Sequence, residues 1–186
     1  MLIARIKKET NIAEYILYMW QVEDIIRSFK FDINRIQQEI VDKFDQPKKV
    51  KDEISNWYRN LILEMKDQNI QKHGHLKSLL EIIDGLNVLH KTLLTTIQDR
   101  KYQKFYDQAK PALDELIKRS QGDFRNEIHA GLNGMYGLLL LRLKGEKISD
   151  RTTEAMEIIG KMLAHLALQY NRMRMGKLNL PEEKRN

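Results

Sequence analysis

Residues 11–29 read NIAEYILYMWQVEDIIRSF and carry the clearest helical pattern in the chain. Asn11 and Glu14 have the spacing of a capping box, in which two side chains satisfy free backbone N–H groups at a helix start. The apolar residues that follow cover most of the helix circumference: Ile12, Tyr15, Ile16, Met19, Trp20, Val22, Ile26 and Phe29. A helix that is apolar nearly all round is surrounded by other elements, so we expect this one to be central.

The helical period continues through the rest of the chain, and no segment alternates apolar and polar residues for long enough to indicate a strand. Pro111 is expected to kink or split one of the later helices. We predict an all-α fold, a single-domain bundle of six to seven helices over residues 1–176 with a flexible basic tail over residues 177–186. The helices after the first are predicted to begin near Asp32, Pro47, Leu76, Asp99, Asp123 and Ser149.

The composition narrows the class of protein. The 186 residues include no Cys, 3 Pro and 9 Gly, and 42% are apolar while 31% are charged. These values exclude collagen, disulfide scaffolds and low-complexity disorder, and the missing thiols exclude thiolate zinc sites. The longest uncharged apolar stretch, residues 128–141, falls short of the roughly 20 residues that span a bilayer. Charges near the N-terminus also interrupt any signal-peptide core, so we expect a cytoplasmic protein with no membrane contact.

The net charge of +6 could indicate binding to nucleic acid, but its distribution argues against that function. The last sixteen residues contribute half of the excess, and the remainder is spread over the chain. Only short basic clusters occur, such as KKVK at residues 48–51, and no basic face carries interleaved aromatic residues. Nucleic acid is therefore not an expected partner.

Several stretches of the chain resemble a known family. They are NIAEYILYMWQVED at residues 11–24, NWY at 56–58, YGLLLLRL at 136–143, KIS at 147–149 and GKL at 176–178. Together they resemble a bacterial family of small all-helical proteins described as a domain of unknown function. The resemblance covers nearly the whole chain and implies an intracellular helical protein of one domain. It implies no activity, substrate or site residue.

The spacing of the His, Asp and Glu residues can be compared with that of known metal-binding motifs. No carboxylate lies three or four residues before any of the five His, which excludes the paired acidic-x-x-His motif of di-iron bundles. Two carboxylates one turn apart can also share a magnesium ion. The pairs with this spacing on two neighbouring predicted helices are Glu64 with Asp67 and Glu81 with Asp84. With 26 acidic residues such pairs arise by chance, and the second pair lies opposite the apolar seam of its helix, facing solvent.

A second possible site combines Arg125 and His129, one turn apart near the start of the predicted sixth helix. Such a pair can stabilise a phosphate and move a proton, as in certain helical ribonuclease domains, although those place at least one more residue between the two. The alternative is structural, because Asp123 and Glu127 can balance the charge of Arg125 near a helix start.

Three more polar residues lie on predominantly apolar helices. Glu23 and Asp24 follow Trp20, and Glu23 has the spacing of an i, i+4 ion pair with Arg27. A polar pocket beside Trp20 is the alternative for these acids. His90 lies on the apolar seam of its helix, where we expect a buried His that donates to a carbonyl or carboxylate.

Three glycines recur every three residues in the predicted sixth helix, namely Gly131, Gly134 and Gly137. Each costs about 1 kcal/mol relative to Ala in a helix. Close approach of another helix would compensate for this cost, and a ligand lying against the bare backbone is the alternative. In the first case Gly134→Ala overpacks the contact and lowers stability.

The sequence contains no nucleophile elbow and no phosphate loop. We therefore predict an uncharacterised, non-enzymatic interaction protein that acts by self-association or partner binding and needs no cofactor. Methionines are expected to supply adaptable apolar surface for this purpose. They are Met19, Met65, Met135, Met156, Met162, Met173 and Met175. The alternative is a metal-dependent hydrolase of nucleotides or other phosphorylated small molecules.

Overall fold

The computed structural model describes residues 2–120 and 124–178, and over these residues the fold is all-α, as predicted. The described chain contains eight α-helices, and a short 3₁₀ helix, Val41–Lys43, follows the third. The helices are α1 (Leu2–Thr10), α2 (Ile12–Ser28), α3 (Ile33–Glu39), α4 (Lys48–Asp67), α5 (Lys77–Thr95), α6 (Arg100–Arg119), α7 (Glu127–Leu143) and α8 (Asp150–Arg174).

The sequence predicted six to seven helices, and the described residues contain one more, because helix α1 was not predicted. This helix has four charged residues among its nine and buries only Ala4. Its nine residues make only about two and a half turns, too few for its apolar positions to stand out as a helical period. It ends one residue before α2 begins, so the two helices are separated by Asn11 alone.

Local capping signals place most of the helix starts. The side chain of Asn11 accepts a hydrogen bond from the backbone N–H of Ala13 at 3.1 Å, and Asp32, Asp99 and Ser149 cap α3, α6 and α8. The sixth predicted helix begins later than expected, because Asn126 caps α7 and Glu127 is its first residue. The predicted start at Asp123 lies outside the described residues.

Helix α6 continues through Pro111, so of the two predicted outcomes, a kink or a split, the split did not occur and the kink stays a prediction. A proline inside a helix removes one hydrogen bond and crowds the preceding turn. Ala109 and Leu113, on either side of Pro111, are both fully buried, and α6 packs against α7 and α8. This packing compensates for the lost hydrogen bond and keeps the helix continuous.

Backbone contacts group the chain into two compact units. The first contains the residues up to 8 together with 14–80, and the second contains residues 9–13 together with 81 onward. In the first unit α3, the 3₁₀ helix and α4 pack on one another, and in the second α6, α7 and α8 do so. Helix α8 ends at Arg174, and the domain boundary at residue 176 stays a prediction because residues 179–186 lie outside the described part.

The glycine row on α7 is filled by neighbouring helices at two of its three positions. A Cβ atom on Gly131 would lie 3.3 Å from methyl groups of both Ile159 and Leu113, which are fully buried. A Cβ atom on Gly134 would lie 2.7 Å from a methyl group of Leu116, whereas Gly137 has nothing within 4 Å of that position. Side chains of α6 and α8 therefore occupy the groove that the first two glycines form.

We expect alanine substitutions along this row to have graded effects on stability. Gly131→Ala should lower the free energy of unfolding by about 1–2 kcal/mol, because its buried neighbours cannot move aside. Gly134→Ala should change it by less than about 1 kcal/mol, because Leu116 is half-buried and can rotate. Gly137→Ala is the matched control and should raise it by up to about 1 kcal/mol through helix propensity alone. Urea melts measure all three, and a stabilised Gly131→Ala would contradict the packing interpretation.

Candidate functional site

The most unusual polar contact in the first unit joins Glu23 on α2 to His75, which lies just before α5. Glu23 is only 1% exposed, and its Oε2 atom lies 2.6 Å from Nδ1 of His75. The other carboxylate oxygen accepts a hydrogen bond from the backbone N–H of Leu76 at 2.9 Å. The imidazole also stacks on the indole of Trp20, with ring centroids 4.3 Å apart. One buried carboxylate thus fixes both a histidine ring and the backbone that leads into α5.

Arg27 holds the same connecting segment through its backbone. Its guanidinium donates to the carbonyl of Ile70 at 3.3 and 3.2 Å and to the carbonyl of Gly74. It also pairs with Asp24 at 2.8 Å. The predicted Glu23–Arg27 ion pair was therefore wrong, because each residue has found a partner in the segment between α4 and α5. The ion pair on this helix is instead Asp24–Arg27, and the polar pocket beside Trp20 and Tyr18 stays a prediction.

Arg125 and His129 lie one turn apart, as their spacing indicated, and the structure adds Asp84 to them. The Arg125 guanidinium contacts both carboxylate oxygens of Asp84, at 3.1 and 2.5 Å, and Asn126 approaches the same carboxylate at 3.4 Å. This hydrogen bonding holds the pKa of Asp84 below its usual value. The Nδ1 atom of His129 accepts from the backbone N–H of Arg125 at 3.2 Å. These contacts lie at the start of α7 and engage the Arg125 guanidinium that a phosphate would need.

The carboxylates proposed for magnesium do not converge with other ligands. Glu64 and Asp67 are exposed on α4, where Glu64 accepts from Gln68, and Asp84 is engaged by Arg125. Within residues 2–120 and 124–178, no group of three or more His, Asp or Glu residues could hold a metal ion. The geometry of these residues therefore does not favour a metal-dependent hydrolase.

His90 is 5% exposed, as its place on the seam predicted, but its partner is a hydroxyl group and not a carbonyl or carboxylate. Its Nδ1 atom lies 2.7 Å from the hydroxyl oxygen of Tyr102. Burial lowers the pKa of His90 and raises the pKa of Tyr102. Nearby, the hydroxyl of Tyr106 donates to Glu127 at 2.9 Å, and burial together with this hydrogen bond raises the pKa of Tyr106 to about 12.

The second unit contains another buried polar network, which was not predicted from the sequence. Asp99 caps α6, and its Oδ2 atom also accepts from Gln169 at 2.8 Å and from His165 at 3.2 Å, both on α8. Burial acts to raise the pKa of Asp99, but hydrogen bonds from the N–H of Tyr102 and from His165 outweigh it, so the pKa is lowered. The only signal in the sequence was the i, i+4 spacing of His165 and Gln169 on an otherwise apolar helix face.

Helix α1 and its surroundings form the clearest apolar surface of the first unit. Leu2, Ile3 and Ile6 are 61%, 43% and 48% exposed, whereas Ala4 is buried. The first two border a cavity of about 390 Å³, and we call this cavity with the exposed residues of α1 the α1 surface. The remaining residues that line the cavity are Arg5, Phe44, Gln46, Val50, Glu53 and Ile54. The helix thus presents its larger apolar side chains away from its one buried residue.

The methionines do not supply the binding surface that the sequence suggested. Met19, Met65, Met156 and Met162 are buried, and Met135 is half-buried. Only Met173 and Met175 are exposed, at 41% and 63%. Most of these side chains therefore fill the core, as flexible thioethers often do.

The fold and these contacts define a class of all-helical protein with buried polar networks and an exposed apolar helix. The chain belongs to the family described as Domain of unknown function (DUF4924), whose family model matches residues 1–177. Comparison with curated proteins and with solved structures finds no match. Among the described residues, no helix has both the length and the apolar character needed to cross a membrane.

Proposed function

We propose that this protein acts by binding a second copy of itself through the α1 surface. The observation that carries the proposal is the arrangement of α1, which buries Ala4 and exposes Leu2, Ile3 and Ile6 beside an apolar cavity. Contiguous exposed apolar residues of this kind mark interaction sites on soluble proteins. The proposal assigns the self-association expected from the sequence to the α1 surface.

The charges around the cavity support a second copy as the occupant. Arg5 and Glu53 both line it, and within the described residues neither has an ion-pair partner. A two-fold interface brings the same patch of each copy together, so that a residue pair is made twice. In such an interface Arg5 of one copy meets Glu53 of the other, and both charges are compensated. The patch is therefore complementary to itself in charge as well as in apolar character.

The size of the surface sets the expected affinity. A stable specific interface buries about 800 Å² on each partner. The three exposed side chains of α1 and the cavity wall supply only part of that area. We therefore expect a dimer with a dissociation constant of about 10–100 µM.

Sedimentation velocity between about 5 and 500 µM protein tests this proposal. Ile6→Asp places a charge in the apolar patch and should raise the dissociation constant by at least about tenfold. The matched control is Leu63→Asp, because Leu63 is 60% exposed on α4 and lies outside the α1 surface, to which Ile6 belongs. A wild-type chain that stays monomeric at the highest concentration would overturn the proposal, as would equal effects of the two substitutions.

Charge reversal locates the interface more finely. Arg5→Glu and Glu53→Arg should each weaken the dimer, since each places two like charges opposite one another. The double variant should restore wild-type affinity if the two residues meet across a two-fold axis. Additive weakening in the double variant would contradict this pairing.

A further inference from the structure

We propose that His75 is a phosphoryl-accepting nucleophile that reacts through its Nε2 atom and is positioned by the buried carboxylate of Glu23. The geometry of the Glu23–His75 contact carries this inference, which is independent of the proposed dimer. The chemical class of donor is a small molecule with an activated phosphoryl group, such as a phosphoramidate.

The hydrogen bond to Glu23 decides which ring nitrogen is nucleophilic. A carboxylate only accepts hydrogen bonds, so the 2.6 Å contact places a proton on Nδ1 of His75. In the neutral imidazole the lone pair then lies on Nε2. A base or nucleophile oriented by a third group in this way is the usual arrangement in covalent catalysis.

The surroundings of the ring leave part of the His75 side chain exposed to solvent. The Nδ1 edge is turned to a carboxylate that is 1% exposed, and one face is covered by Trp20, which is fully buried. The His75 side chain nevertheless retains 20% exposure. Because Nδ1 and one face are covered, we infer that the exposed part lies on the other face and on the remaining edge of the ring, which includes Nε2.

The segment around His75 also holds the ring in place. Arg27 fixes the carbonyls of Ile70 and Gly74, and Glu23 fixes the N–H of Leu76. The backbone is thus hydrogen-bonded both before and after His75, which fixes the position of the imidazole. Less conformational entropy is then lost when a phosphoryl donor approaches the ring. Lys72, exposed in the same segment, adds positive charge that attracts an anionic donor.

The reaction balances without an oxidant or a reductant. The Nε2 lone pair forms a bond to phosphorus, the P–N bond of a phosphoramidate breaks, and ammonia leaves with the electron pair. In the zwitterionic form of phosphoramidate the nitrogen carries three protons, so ammonia leaves without taking another proton and the Nδ1 proton stays between the ring and Glu23. The positive charge that develops on the imidazole is compensated by the buried carboxylate.

Treatment of the full-length chain with potassium phosphoramidate tests the proposal, because His73 provides an internal reference two residues away. His73 is exposed and shares the neighbour Gly74 with His75. Phosphorylation of His75, located by mass spectrometry, should be faster than that of His73 by about tenfold or more. The rates should become equal in denaturant, and ³¹P NMR should show the product at Nε2. Equal rates in the folded protein, or reaction at Nδ1, would overturn the proposal.

Glu23→Gln separates the positioning role from a structural one. The amide retains an oxygen that can accept from Leu76, but it no longer requires a proton on Nδ1. We expect ¹⁵N NMR to show that the His75 ring shifts from the Nδ1–H tautomer to a mixture, with a matching fall in the ratio of His75 to His73 phosphorylation. An unchanged ratio together with a changed tautomer would overturn the role assigned to Glu23, and the ¹H–¹⁵N spectrum checks that the variant is folded.

Discussion

Asp99→Ala should lower the free energy of unfolding by about 3 kcal/mol, the largest loss expected from any single polar substitution considered for this protein. The carboxylate accepts from the backbone N–H groups of Lys101 and Tyr102 at the start of α6, and from His165 and Gln169 on α8. Losing a helix cap costs about 1 kcal/mol. His165 and Gln169 are 8% and 6% exposed, so their polar atoms would in addition lose a buried acceptor, at about 1–3 kcal/mol.

Asp32→Ala is the matched control for this substitution. Asp32 caps α3 in the same way, but it is exposed, and its carboxylate accepts from the backbone N–H groups of Asn34 and Arg35 in its own helix. Its loss should cost about 1 kcal/mol, as measured by urea denaturation. Equal losses for the two variants would show that the contacts between Asp99 and α8 contribute nothing.

The pH dependence of stability gives a second measurement on Asp99. Its pKa in the folded protein is lowered, so the unfolded chain binds the proton more readily. The stabilisation is therefore present above the ordinary carboxyl pKa of 3.8 and is lost as the pH falls through the folded value. Asp99→Asn should flatten this acid limb of the stability curve.

Tyr102→Phe should cost about 2 kcal/mol, because it removes one oxygen atom and leaves Nδ1 of His90 without its partner in the core. Tyr102 is fully buried and His90 is 5% exposed, so water cannot replace the hydroxyl without disturbing the packing. Tyr106→Phe is the control, since Tyr106 is half-buried and its partner Glu127 also pairs with Lys110. It should cost less than about 1 kcal/mol. Comparable losses for the two variants would contradict the importance assigned to burial.

The buried pair of His90 and Tyr102 also makes the free energy of unfolding depend on pH near neutrality. Burial lowers the pKa of His90 below its usual 6.5, so the folded protein holds the ring neutral. Between the folded value and 6.5 the unfolded chain binds more protons, and stability rises with pH in that window. Denaturation of the wild-type protein should therefore require less urea as the pH falls below 6.5, and His90→Gln should remove that part of the dependence.

The helical class and most helix starts could be predicted because their causes lie within a few residues. Asn11, Asp32, Asp99 and Ser149 cap helices through N–H groups two or three positions away, and these contacts need no tertiary structure. The apolar spacing along the chain likewise predicted which faces are buried, including that of His90. Helix α1 escaped prediction because a nine-residue segment with four charged residues offers too few positions for a helical period to be recognised.

The partners of the polar residues depended on tertiary packing. Glu23 was assigned to Arg27, four residues away, and binds His75, 52 residues away. Arg125 was expected to balance Asp123 and Glu127 and binds Asp84, 41 residues away. Asp99 caps α6 locally, yet its contacts with α8 reach residues 66 and 70 positions along the chain. A cap is determined by the geometry of one helical turn, whereas a buried polar group takes whichever partner the packed helices bring within hydrogen-bond distance.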